Sequence, residues 1–193
     1  MSSLHLERTS VLGEAADSSV SAGGDFAIAP AGPAVRFSLR IDPDIASRLE
    51  AAAGFALTQP INRLVGDSKM SMRLGPDEWL LVALEKEAEA IKLELKEALA
   101  SHLHSLIDIS HRNIALTVTG SRAVDVLNTG CPLDLHPSMS PPGMSTRTVF
   151  AKCEIILARM PDDTAFRLEC WRSFGRYLEG FLRNSARLQG IGN

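Results

Sequence analysis

Two alternating runs near the end of the chain constrain its fold more than any other feature. Ala151, Cys153, Ile155 and Leu157 alternate with Lys152, Glu154 and Ile156, and further on Phe166, Leu168 and Cys170 alternate with Arg167 and Glu169. A period of two sends successive side chains to opposite faces of a strand. Between the runs lies Pro161-Asp162-Asp163, residues that favour a turn. The pair reads as an antiparallel hairpin. Folding it about Pro161-Asp162 sets Leu157 opposite Phe166, Ile155 opposite Leu168 and Cys153 opposite Cys170, apolar against apolar on one face. In that register the two cysteines could cross-link under oxidation, and in the cytosol they are expected as inert core thiols.

A hairpin with one apolar face needs a covering layer, and the same chain supplies one. From Ser173, Phe174, Tyr177, Leu178, Phe181 and Leu182 recur at helical spacing, with Ser173 as the expected cap. The pattern repeats upstream. Val35, Phe37, Leu39 and Ile41 alternate with Arg36, Ser38 and Arg40, then Asp42-Pro43 opens a helix along Ile45, Ala46, Leu49 and Ala52 that Gly54 stops. Met70 to Leu74 reads as a strand and Trp79 to Leu84 as a buried central strand. A helix follows from Glu85 to about His102, then short strands at Leu106–Ile109 and Ile114–Val118, a short helix after Gly120-Ser121, and a loop with four prolines over 131–145. The order predicts an α+β fold with antiparallel sheets and helices packed on one face, arranged as two ferredoxin-like halves.

The expected organisation is an extended or disordered arm over 1–34 and an α+β domain over 35–193, with its lobes dividing near 105. The arm is small, polar and rich in glycine, including Gly23-Gly24, and cannot bury enough apolar area to order itself. A net charge of -3 speaks against a nucleic-acid partner. No run approaches the roughly 18 apolar residues of a membrane span, and the first residues lack a secretory apolar stretch. The expected compartment is the cytoplasm.

Chemistry is harder to find. No glycine-rich nucleotide or dinucleotide cradle is present. His102 and His104, with Asp108 and His111, could gather round a metal, but the first two straddle a helix end, where histidine is favoured by the helix dipole. Cys131 and His136 lie in or beside a proline-rich loop that fixes no geometry between them. Asp77 and Glu78 are adjacent on a strand and point opposite ways, so they read as a turn residue and a solvated one. Catalytic, cofactor-binding and metal-binding residues are therefore expected to be none. Trp171, on the face away from the core, with Arg172 and Arg176 nearby, is the candidate partner surface.

Five segments stand out in order: Leu74-Gly75-Pro76-Asp77-Glu78-Trp79-Leu80-Leu81, Ile107-Asp108-Ile109-Ser110-His111-Arg112, Gly130-Cys131-Pro132-Leu133-Asp134-Leu135, Arg147-Thr148 with Phe150-Ala151-Lys152, and Trp171-Arg172-Ser173-Phe174 with Tyr177-Leu178. Taken together, they resemble the gamma-subunit family of heterotetrameric sarcosine oxidase. More widely, Asp108-Ile109-Ser110-His111 followed by a strand, Gly120 and a short helix is similar to the aminomethyltransferases of glycine cleavage. Those close a folate channel with a third domain, which this chain is not expected to supply. The resemblance implies a non-catalytic gamma subunit, with alpha, beta and delta subunits as partners. FAD, FMN, NAD, tetrahydrofolate and zinc would reside in those partners. The whole complex would demethylate sarcosine oxidatively to glycine, with hydrogen peroxide and a tetrahydrofolate-linked one-carbon product. The alternative expectation is a free-standing folate-binding or one-carbon transfer protein of the same fold.

Overall fold

The computed structural model describes residues 24–163 and 165–191. Residues 1–23, most of the expected arm, lie outside them.

In the first lobe, β2 (Ala34–Ile41) runs into α1 (Pro43–Leu49), whose N-cap Asp42 accepts from the Asp44 amide with Pro43 opening the helix. The helix ends earlier than its apolar stripe suggested. Glu50 takes a positive φ, and Ala51–Ala52 (β3) pairs with Phe55–Ala56 (β4) through a tight turn at Ala53-Gly54. Both turn residues have positive φ, as a two-residue hairpin loop requires, so Gly54 closes a hairpin instead of capping a helix. The lobe continues through β5 (Arg63–Val65), β6 (Met70–Arg73), β7 (Glu78–Leu84), α2 (Ala88–Leu99) and β8 (His104–Asp108). The sheet order is β5-β6-β7-β2-β8, all antiparallel. β7 is buried from Glu78 to Ala83, as a central strand should be.

The chain crosses to the second sheet between Asp108 and Asn113. There β9 (Asn113–Thr119), α3 (Ala123–Leu127), β10 (Ser145–Phe150), β11 (Cys153–Arg159), β12 (Ala165–Trp171) and α4 (Gly175–Leu188) repeat the same plan. The order β10-β11-β12-β9-β1 matches the first sheet position for position, except that its last strand is β1 (Ala27–Pro30). Each half is a ferredoxin-like unit with one extra edge strand. The second half borrows its final strand from the segment before the first half. Ile28 of that strand and Phe26 just before it pack into the second core.

Helices α1 and α2 cover the outer face of the first sheet over Phe37, Leu39, Trp79 and Leu81, and α3 and α4 cover the outer face of the second over Leu116, Ile155, Leu157 and Leu168. The inner faces meet through a third, smaller cluster that includes Met72, Leu80, Val82 and Ala158. At their far edges β5 and β10 touch: Leu64 donates to the Gly143 carbonyl at 2.7 Å and Ser145 to that of Asn62 at 2.9 Å.

The C-terminal hairpin forms, but its register differs from the expected one by two residues. Ile155 faces Cys170, Leu157 faces Leu168 and Arg159 faces Phe166. The turn is longer than Pro161-Asp162, because the Met160 amide reaches the Ala165 carbonyl at 2.8 Å. A slip of two residues leaves every side chain on its original face, so the apolar pattern suits both registers and the turn decides. Ser173 caps nothing: Arg172–Phe174 is a 3-10 turn, and α4 starts at Gly175 without a side-chain cap. Of the expected apolar stripe, Leu178 and Leu182 on α4 are buried, whereas Phe174, in the turn before it, and Tyr177 each stay 38% exposed.

Candidate functional site

Where the inner faces diverge, they leave a cleft of about 270 Å³. Register sets its walls. On β2 and β7, Arg40 lies opposite Glu78. On the second sheet, Arg147, Ile156 and Glu169 share one row, and Trp171 pairs with Asn113 at the end of β12. Arg112 and Glu154 complete the rim.

Two carboxylates organise the polar groups, and each is held between two arginines. Glu169, only 1% exposed, accepts from Arg36 Nε at 2.7 Å and from Arg167 Nη2 at 2.6 Å. Glu78 accepts from both terminal nitrogens of Arg147, one of them at 2.8 Å, and from Arg40 Nη2 at 3.2 Å. Arg40 also reaches Asp77 at 3.0 Å. These contacts join the first sheet to the second, with Arg36 and Glu169 lying 133 residues apart in the chain. The hydrogen bond from Arg147 holds the Glu78 carboxyl below its ordinary range, and the same bond raises the Arg147 guanidinium. Glu78 is therefore buried and ion-paired, which corrects its reading as a solvated residue. The adjacent acids do point apart, yet one guanidinium bridges both.

The Asp108-x-Ser110 motif pins the crossover. Asp108 Oδ1 accepts from the Ser110 amide at 2.9 Å and from its hydroxyl, and Ser110 Oγ accepts from the Arg36 amide at 2.9 Å. Burial pushes the Asp108 carboxyl up, but the two bonds from Ser110 outweigh it and leave the group lowered. This is the chemistry of a turn clamp. The other candidates stay apart. His104 Nδ1 bonds the His102 carbonyl at 2.8 Å, and no metal-sized cluster of ligands forms among the described residues. Cys131 is buried in the second core, while His136 is exposed and its ring meets Ser138. Burial raises all three cysteine thiols, Cys170 to about 12, so thiolate chemistry at neutral pH is suppressed. Trp171 is 52% exposed at the cleft mouth, Arg172 is half-buried and Arg176 is exposed.

A family model described as "Sarcosine oxidase, gamma subunit family" matches residues 39–187. The chain belongs to that family. The gamma-family span takes in the Glu78 clamp, the Asp108 turn, Arg112 and Trp171, but not β1 or Arg36. A curated relative, sarcosine oxidase subunit gamma from Arthrobacter sp., is 31% identical over 122 residues; the alignment spans 62% of this chain and 59% of that one. Among solved structures, a chain of the heterotetrameric sarcosine oxidase from Corynebacterium sp. U-96, in complex with pyrrole 2-carboxylate, superposes with a TM-score of 0.79 at 23% identity. That match covers 92% of this chain and 94% of the other. The glycine cleavage aminomethyltransferase T from Bartonella henselae shares the fold at a TM-score of 0.64 and 13% identity, over 82% of this chain and 45% of its own.

Proposed function

We propose that this chain is the non-catalytic gamma subunit of a heterotetrameric sarcosine oxidase, joining alpha, beta and delta subunits in the cytoplasm. The observation that carries the reading is the family match over residues 39–187. The chemistry of the cleft supports it. Glu78 and Glu169 are each held by two arginines and the thiols are buried, so these groups brace the sheets and are not poised for proton or group transfer. FAD, FMN, NAD, tetrahydrofolate and zinc are assigned to the partner subunits, together with the oxidative demethylation of sarcosine to glycine. The exposed Trp171, with Arg172 and Arg176, forms part of the surface facing them, in keeping with the weight of tryptophan and arginine at interfaces.

Affinity capture tests the proposal. With a tag on this chain, co-expression with the three larger and smaller partners is expected to recover a stoichiometric four-chain complex that oxidises sarcosine. Recovery of this chain alone as a monomer would refute it.

A further inference from the structure

We propose that the mouth of the charged cleft receives a carboxylate side chain from a partner subunit, with Arg112 as its ion-pair partner and Trp171 as the apolar wall beside it. This rests on the subunit role proposed above and names the chemistry of one contact within it.

Charge selects the occupant. Arg36 and Arg167 share the single buried carboxylate of Glu169 and so hold one positive charge in excess, whereas Arg40 and Arg147 are balanced by Glu78 and Asp77. Glu154, the remaining acid of the lining, interacts electrostatically with Arg147. Arg112 stands outside this accounting. Its Nε donates to Asn113 Oδ1 at 3.2 Å, and among the described residues it has no carboxylate partner. Most of its five donors are therefore available for a planar anion.

Position makes Arg112 usable. Its carbonyl accepts from the Arg172 amide at 2.7 Å, and the next residue, Asn113, pairs with Trp171. The cation and the half-exposed indole are thus fixed side by side by main-chain bonds, a preorganised pair needing little ordering on contact.

Size selects a side chain over a cofactor. A volume of about 270 Å³ holds roughly nine waters at about 30 Å³ each. It falls below the ~300–1,000 Å³ of ordinary small-molecule pockets and suits one or two inserted side chains.

The test is capture of the alpha, beta and delta subunits by tagged full-length chain, comparing wild type with Arg112→Glu, Trp171→Ala and, as a control, Lys96→Glu on the exposed side of α2. Arg112→Glu and Trp171→Ala are expected to weaken capture by about tenfold or more, as loss of an interface anchor does. Lys96→Glu should match wild type, and all variants should keep the wild-type melting temperature. A photo-crosslinker in place of Trp171 should join a partner segment that contains Asp or Glu. Undiminished capture by folded Arg112→Glu overturns the inference and leaves the subunit role standing, and so does a crosslinked segment without an acid, whereas failure of the wild-type chain to capture any subunit removes the role and the inference together.

Discussion

Glu78 shows what a single side chain does here. It sits on β7 facing inward, where Arg147 of the other sheet and Arg40 of its own both reach it. Because its folded carboxyl lies below the ordinary value, its ionised form is favoured by folding. The contribution to stability is thus complete above the unfolded pKa and is lost as pH falls through the lower folded one. Glu78→Gln should cost about 1–3 kcal/mol at pH 7, the penalty for leaving a charged donor without its acceptor. Urea unfolding across pH should show the gap to wild type closing below about pH 4, where the carboxyl becomes neutral in the unfolded chain. A gap independent of pH would mean that side-chain shape, and not charge, matters at this position. Alternation correctly sent Asp77 and Glu78 to opposite faces, but nothing local told which face a second sheet would cover.

The strands separate into those that announce themselves and those that do not. β2, β7, β9, β11 and β12 carry long alternating or apolar runs and were legible. β5 has only three residues, β10 follows a proline-rich loop, and β1 lies in a glycine-rich stretch. β1 and β5 hold too few residues for a period to emerge, and β10, with a mostly polar sequence, shows no alternation of apolar residues. β1 depends on a backbone contact that no pattern reveals. Gly120 adopts φ +107, and a Cβ there would lie 2.3 Å from the Asp25 carbonyl oxygen. The same carbonyl accepts from the Arg122 amide at 2.8 Å. Gly120→Ala must push the start of β1 away from α3 and strain its own backbone, a combined cost of about 2–4 kcal/mol. Hydrogen exchange should show residues 26–30 losing protection first, while the first sheet keeps its own. Equal loss across both sheets would argue that β1 has no stability separate from the rest.

At the scale of the whole molecule, two similar halves are joined back to back by a small apolar cluster and the two arginine-bound glutamates. Glu169→Gln leaves Arg36 and Arg167 buried without a counter-charge, and is expected to destabilise the fold by about 3–5 kcal/mol in urea titration. Replacing all three residues with apolar side chains of similar volume should be far milder, since it removes the desolvation cost along with the attraction. A loss under about 1 kcal/mol for the single variant would show that water reaches the cluster and screens it.

Local order was written in the chain. Periods of two and of about four, aspartate before proline at Asp42-Pro43, and the apolar faces of the C-terminal hairpin each depend on a few neighbouring residues, so the α+β class and the repeated plan could be read directly. Tertiary structure alone decided the hairpin register, the strand that completes the second sheet, and the burial of Glu78 and Glu169 between the lobes. Those outcomes turn on groups that meet across as many as 133 positions of chain. Which of several equally patterned surfaces come together is a property of two folded sheets packing, and no short stretch of sequence contains it.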